Sequence, residues 1–389
     1  MTGVAILGCG VVGSGTVKML MENRDRIVRA SGVDVRLRAV LDVRPVQVPQ
    51  GVLLTSDFDE ILRDPEIKII AETIGGTGAA YDYTKRALLA GKSIVTSNKE
   101  LVSAHGDEFE AIGAKMGVRY LYEAAAGGAI PIIRPINLCL GGNHFREIAG
   151  VVNGSTNYLL TRMEDQGISF PTALMEAQSL GYVEADPSAD VDGHDARRKI
   201  AILAHEAFGS RFDDCAKVPC EGIRSVTQED IRAAELFGGR VKLVARAGMR
   251  GETWSGSVRP CFVAQGHPLY DIRDVFNAVL LDTDFAGKTV ITGRGAGSMP
   301  TASAVVGDII DAAKNPAAYP KDDFVPAFRA EKQVSRFVVR VDDAIPEALK
   351  DCEVRRTMGI LAMMTGVMEE SELQGLLAGV RHGLLFPVL

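Results

Sequence analysis

The stretch TGVAILGCGVVG, residues 2–13, decides the fold class of this 389-residue chain. Thr2 to Leu7 is an apolar run of β type, and Gly8-Cys9-Gly10-Val11-Val12-Gly13 follows at once. Ser14 to Arg29 then reads as a helix. A strand, a GxGxxG turn and a helix in that order form the dinucleotide-binding fingerprint. The glycines differ in role. Gly8 permits the tight turn, Gly10 the close approach of backbone to a pyrophosphate, and Gly13 the packing of helix on strand. The helix N-terminus that follows offers free N–H groups to the phosphates, and Val11 and Val12 of the loop join the cofactor-binding set.

Working outward, a second strand from Val33 to Leu41 ends at Asp42, where an acid binds a ribose 2′-hydroxyl and favours NAD. Arg44 follows two residues later and suits a 2′-phosphate, which favours NADP. A mutual Asp42–Arg44 ion pair is the plain structural alternative. Further strands are expected at Ile67 to Glu72, Ser93 to Thr96 and Arg119 to Tyr122. Helices at about Tyr81 to Ala90 and Ser103 to Met116 separate them. This alternation predicts an α/β fold with a doubly wound parallel sheet. The loops Thr73-Ile74-Gly75-Gly76 and Ser97-Asn98-Lys99-Glu100 then lie at carboxyl ends of strands, where ligands bind in such sheets.

Bulk composition narrows the function. A net charge of −7 with 47% hydrophobic and 24% charged residues is that of a globular protein and argues against nucleic-acid or membrane-surface partners. No apolar run is long enough to span a bilayer, and no basic segment precedes the first apolar run, so a cytoplasmic protein is expected. The six cysteines are scattered, without C-x-x-C or zinc spacing, and read as reduced thiols. Cys9 sits inside the glycine loop, where its oxidation would block a cofactor phosphate.

A second stretch carries chemistry: GYVEADPSADVDGHDARRK, residues 181–199. On a helix, Asp195 and Lys199 share one face. Such a pair is commonly a solvated ornament of the surface. Buried, the lysine is balanced between desolvation and a carboxylate, and can serve as proton donor and acceptor. The spacing from Asp190 also opens like a calcium loop, but position twelve is Ala201 where a glutamate is required.

Taken together, GCGVVG, ETIGG, TSNKELV, YEAAAGGAIPII, VVNGSTNYLL, the 181–199 signature and GRGAGSMPTASAVVGDIIDAA resemble homoserine dehydrogenases, in that family's order, from about Val4 to Lys314. The resemblance implies interconversion of L-homoserine and L-aspartate 4-semialdehyde with NADP or NAD, on the route to threonine, methionine and isoleucine. Lys199 then matches the catalytic lysine, Asp195 its accompanying acid, Glu184 and Gly181 the substrate-binding positions, and Lys99 the lysine beside nicotinamide and substrate. Thr73, Ile74, Gly75, Asn98 and Gly297 join the cofactor set. Glu123, with the carbonyls of Ala126, Gly128 and Ile130, matches a sodium site; as a plain alternative, Glu123 caps the helix that follows. Asn153-Gly154-Ser155-Thr156-Asn157 reads chiefly as a capped turn, with a place in the substrate cleft as the alternative.

The implied organisation is a dinucleotide-binding domain at 1–134 completed by 301–325, an α+β catalytic and dimerisation domain at 135–300, and a short ACT-like module at 331–389. The first of these has the Rossmann-type sheet. A homodimer or higher homo-oligomer is expected. In the tail, strand, helix, hairpin, helix and strand are expected, although Asp342-Asp343-Ala344-Ile345-Pro346 replaces the usual acidic-Pro-Gly turn. Some relatives sense threonine through such a module. Two other functions stand beside this one: a related oxidoreductase with a different amino-acid or aldehyde substrate, and a nucleotide-binding sensor.

Overall fold

The computed structural model describes residues 1–317, 324–330, 332–357 and 359–389. Residues 318–323, inside the 301–325 stretch, residue 331 at the start of the tail, and residue 358 at the head of MGILAMMTG lie outside the described residues. The chain divides into two compact units: Met1–Gly142, Ala201–Cys215 and Gly293–Pro326 form one, and Asn143–Ile200, Ala216–Thr292 and Ala327–Leu389 the other.

The first unit contains six parallel strands, β1 (Thr2–Leu7), β2 (Val35–Leu41), β3 (Leu53–Thr55), β4 (Ile67–Glu72), β5 (Ser93–Thr96) and β6 (Tyr120–Leu121). Their order is β3-β2-β1-β4-β5-β6. The order reverses between β1 and β4, so the loops after these two strands share one edge and open the ligand crevice of a doubly wound sheet. Val4, Ile6, Val40, Ile69, Ala71 and Val95 fill the core from the sheet, and Val17, Leu20 and Ile27 from the first helices. The helix Ser298–Lys314 contributes Val305, Val306 and Ile309 to the same core.

Local chemistry corrected several boundaries. The expected helix from Ser14 to Arg29 is two helices, Val11–Glu22 and Arg24–Ser31, parted at Asn23. The second stops at Gly32, whose φ of 75° suits only glycine readily. The helix expected from Ser103 begins at Lys99, because Asn98 caps it by accepting the Leu101 N–H at 3.1 Å. Strand β3 and the helix Phe58–Arg63, capped by Asp57, escaped the sequence reading.

The second unit is built on β7 (Phe145–Val151), β8 (Gly239–Arg250), β9 (Thr253–Ala264), β10 (Phe276–Thr283), β11 (Lys288–Arg294) and β12 (Ala327–Phe328). The sheet order is β11-β10-β7-β8-β9-β12. The apolar runs read at Val241–Ala247 and Ser257–Val263 are the middles of β8 and β9, paired antiparallel along their full length. The sequence reading passed over β7, β10 and β11.

The tail carries β13 (Val334–Ser335), β14 (Phe337–Val341), β15 (Glu353–Thr357), β16 (Ile360–Met364), β17 (Met368–Glu369) and β18 (Phe386–Pro387). Its four-stranded sheet runs β15-β16-β14-β18, the ferredoxin-like order of an ACT-like module. The hairpin β15–β16 and the helix Glu370–Leu376 follow in the expected order. The first expected helix is only a 3₁₀ turn, Glu347–Leu349. Pro346 disfavours helical backbone at Ile345 and shortens what can form. The edge strand β15 is exposed along its length and carries Arg355 and Arg356, charges that discourage further pairing.

Candidate active site

At the glycine loop the three glycines do different work. Gly8 has φ +86°, and a Cβ there would press on Ile74 and Thr73 backbone at 3.1 Å. A Cβ on Gly13 would lie 1.9 Å from the Gly8 carbonyl oxygen, whereas one on Gly10 would meet nothing within 4 Å. Helix Val11–Glu22 has no side-chain cap, so its first N–H groups are open to an anion. This cradle fits a nucleotide pyrophosphate. Thr73 closes the far side, its hydroxyl donating to Leu7 O at 3.0 Å and Gly8 O at 2.7 Å. Gly297, with φ +118°, precedes the helix whose Ser298 hydroxyl donates to Val11 O at 2.5 Å.

Asp42 and Arg44 pair, at 3.1 Å from Nε to Oδ1. Asp42 also accepts the N–H of Cys9 at 2.8 Å and of Arg44 at 2.9 Å. Arg44 beside it holds the Asp42 carboxyl well below the usual carboxylate range. Burial, then the Asp42 charge, pushes the Cys9 thiol up. That shift lowers the thiolate fraction on which oxidation depends.

Glu72 was not singled out in the sequence. It is fully buried at the end of β4, where Oε1 accepts the N–H of Ile74 at 2.7 Å and of Gly75 at 3.2 Å. Its Oε2 accepts the Thr96 hydroxyl at 2.5 Å, and burial raises its pKa. Asn98 completes the loop by donating to Gly76 O at 2.6 Å. A glutamate inside an apolar strand was the available signal, since such an acid requires local donors. Lys99 follows as the first residue of its helix and is half-buried.

In the second unit, Asp195 and Lys199 lie on the helix His194–Phe208. The Lys199 ammonium meets Asp195 Oδ2 at 2.8 Å and donates to Val152 O at 2.8 Å. Asp195 is 2% exposed and Lys199 7%, so this is no solvated surface pair. Asn153 ties the cluster together. Its amide donates to Asp195 at 2.9 Å and Asp190 at 2.6 Å, and its oxygen caps the helix Gly154–Gln166 at Thr156 N. The helix cap and the donor to the two acids are therefore one residue. Asn277 donates to the same Val152 carbonyl at 2.8 Å and had no sequence signal. Asp192 turns away to Arg224, whereas Asp190 and Asp195 share the Asn153 amide and Asp195 also meets Lys199. Gly181, φ +72°, ends the helix Phe170–Ser179, and Glu184 stands exposed on the loop that follows.

Glu123 is 2% exposed, and its carboxylate accepts the N–H groups of Ile132 at 2.6 Å, Ile133 at 2.7 Å and Arg134 at 2.9 Å. It thus caps backbone nine to eleven residues ahead, not the helix it begins. Gly128, in the turn between them, has φ +61°.

Comparison with known proteins finds two matches in succession along the chain. The family description "Homoserine dehydrogenase, NAD binding domain" matches residues 8–123, and "Homoserine dehydrogenase" matches residues 131–310. The homoserine dehydrogenase of Synechocystis is 44% identical over 315 residues, covering 79% of this chain and 72% of that one. The crystal structure of a homoserine dehydrogenase from Thiobacillus denitrificans superposes with a TM-score of 0.90 at 31% identity, over 100% of this chain and 98% of that one. A hyperthermophilic archaeal homoserine dehydrogenase in complex with NADPH superposes with a TM-score of 0.68 at 27% identity, over 82% of this chain and 99% of that one. By its sequence, its sheet order and these likenesses, the chain belongs to the homoserine dehydrogenase family.

Proposed function

We propose that Lys199 is the proton-transfer residue of this homoserine dehydrogenase, with Asp195 as its partner and NADP as the preferred cofactor. The observation that carries the reading is the buried Asp195–Lys199 contact at 2.8 Å, braced by Val152 O and Asn153. The glycine loop and Thr73 would hold a nicotinamide dinucleotide, which would supply the hydride for the aldehyde carbon and take it up in the reverse direction. The ammonium of Lys199 has three donors. Two are directed at Asp195 and Val152, and the third delivers the proton to the oxygen that becomes the homoserine hydroxyl. In oxidation, the neutral amine takes that proton back. A positive group set at the oxygen stabilises the charge that develops there.

Asp195 keeps the lysine in place and, with Glu184, holds the α-ammonium of the substrate. Gly181 positions the loop that carries Glu184. Lys99 takes the family's role beside nicotinamide and substrate. For cofactor choice, Asp42 is already engaged by Cys9 and Arg44 while the Arg44 side chain is 64% exposed. That exposure supports a guanidinium grip on a 2′-phosphate. The carbonyls of Ala126, Gly128 and Ile130 hold a sodium ion in this reading, with Glu123 fixing the turn. The chain works as a cytoplasmic homodimer or higher homo-oligomer. Its domains are 1–134 completed by 301–325, 135–300, and the ACT-like 331–389, which responds to threonine. No helix among the described residues is long and apolar enough to cross a membrane.

The deciding experiment follows absorbance of NADPH formation from NADP and L-homoserine, with NAD in parallel. Turnover with NADP exceeding that with NAD supports the reading. Nucleotide binding without turnover moves the protein to a sensor role, and turnover only with another amino acid moves it to a different substrate.

A further inference from the structure

Away from the residues assigned above, the first unit holds a second cluster with metal-ligand chemistry. Glu110 on the helix Lys99–Met116, and His205 and Glu206 on the helix His194–Phe208, bring one ligand atom each to within 4.8 Å of one another. His205 Nε2 lies 3.1 Å from Glu110 Oε2. Around a tetrahedral ion with bonds of about 2.0–2.2 Å, neighbouring ligand atoms stand roughly 3.3 Å apart. The His205–Glu110 separation is already that of a bound ion, and only Glu206 must close in.

The surroundings orient these ligands from outside the cluster. His205 Nδ1 faces the Ser210 carbonyl, which accepts an N–H there and leaves Nε2 as the atom turned to Glu110. Metal-bound histidines are oriented by this kind of bond from the other ring nitrogen. Phe212 stacks on the imidazole at 3.9 Å between centroids and fixes its plane. Asn137 donates to Glu206 Oε2 at 2.6 Å, leaving Oε1 for the cluster. The Tyr122 hydroxyl lies against both carboxylates, at 2.6 Å from Glu110 Oε1 and in contact with Glu206 Oε1. Burial keeps this phenol protonated, so it has one hydrogen for two carboxylates. His205 is 8% exposed and the glutamates are half-buried, which lets an ion enter from the glutamate side.

We propose that Glu110, His205 and Glu206 form a binding site for one divalent first-row transition ion, of the Zn²⁺ or Mn²⁺ class, with water completing the coordination. One nitrogen and two carboxylate oxygens form a ligand set such ions accept. The ion bridges the helix Lys99–Met116 to the end of the helix His194–Phe208 and stabilises the unit that contains them. Its ligands are separate from the turn at Glu123 and from Asp195 and Lys199, so the inference stands independently of the proposed catalytic roles.

The test uses the full chain after treatment with a chelator, with Mn²⁺ followed by electron paramagnetic resonance and Zn²⁺ by calorimetry, both without nucleotide or substrate. One ion per chain and a rise in Tm with metal are expected. Glu206→Gln and His205→Gln should each weaken binding by at least about tenfold. If His205→Gln perturbs folding through its Phe212 stack, the half-buried Glu206→Gln alone decides. Absence of uptake of either ion at about 1 mM overturns the proposal. Uptake that Glu206→Gln leaves unchanged overturns it equally, since the ion then sits on thiols or other carboxylates.

Discussion

The two ends of the proposed chemistry are built by opposite means. The glycine loop is made of what is missing: no Cβ at Gly13, where the Gly8 carbonyl fills the space, and none at Gly10, where the space stays open. Its parts lie within a dozen residues of one another. The Asp195–Lys199 cluster is made of groups gathered from afar: Asn153 and the Val152 carbonyl reach the helix, and Asn277 donates to that same carbonyl. A backbone cradle is local and tolerates little addition. A side-chain network is long-range and fails when a single donor is removed.

Breaking the network at its centre should have the largest effect. Lys199→Ala should lower kcat by about 10²–10⁴-fold, the usual worth of a general acid–base group, while nucleotide affinity stays the same. Steady-state rates and a nucleotide titration on the same preparation check this. Retained turnover would remove Lys199 from the proton-transfer role. Next comes the cradle. Gly13→Ala forces a methyl group into the Gly8 carbonyl, and overpacking of this kind costs about 1–3 kcal/mol. Nucleotide affinity should fall by roughly ten- to a hundredfold, with kcat at saturation much less affected. Unchanged affinity would mean that the loop is not the phosphate cradle.

The same contrast explains what could be read from the sequence. Strand, glycine turn and helix are local patterns, so the parallel sheet and the loops after β1, β4 and β5 were legible from residue type alone. Lys199 was different. By spacing, it was one member of an ordinary i, i+4 pair, and only the family resemblance of residues 181–199 raised it above that. Burial distinguishes it from a surface pair, and the Val152 carbonyl that accepts from its ammonium lies far off in the chain at a position that announces nothing in the sequence. Glu72 was missed for the same reason, because its donors Ile74, Gly75 and Thr96 come partly from the neighbouring strand. The strand β7 pairs with the distant β8 and β10, and the short runs of β7 and β10 carried no helical or strand period strong enough to identify them.

Asn153 tests whether capping and site assembly are one function. Asn153→Ala removes a helix cap worth about 0.5–2 kcal/mol and the donor to both Asp190 and Asp195. A loss of kcat of about tenfold together with a lower Tm is expected. Asn153→Ser keeps a capping oxygen and loses the amide, so it should restore Tm more than kcat. If both properties recover together, Asn153 acts only as a cap. A smaller effect is expected at the cradle's rim. Arg44→Ala should raise KM for NADP by about fivefold and leave KM for NAD nearly unchanged, as suits an exposed charge contact. Equal effects on both cofactors would mean that Arg44 does not discriminate between them.

The smallest effect sharpens the comparison by setting a second buried lysine beside Lys199. Lys242 is 1% exposed on β8, and its amine donates to Asn157 Oδ1 at 3.0 Å and Ile272 O at 2.5 Å. These acceptors are neutral, whereas Lys199 has a carboxylate. Burial accordingly pushes the Lys242 pKa down to about 7. In the unfolded chain a lysine titrates near about 10.4, so between these values the unfolded state holds more protons than the folded one. Stability therefore rises with pH across that window, and below it both states are protonated and the full desolvation cost remains. From pH 7 to 8 the gain is about 1 kcal/mol at most. Denaturant midpoints of the protein and of Lys242→Met, measured from pH 7 to 9, isolate this term. The substitution should flatten the rise even though it also removes two hydrogen bonds and shifts the whole curve. An equal rise in Lys242→Met would assign the titration elsewhere and leave Lys242 charged in its buried place.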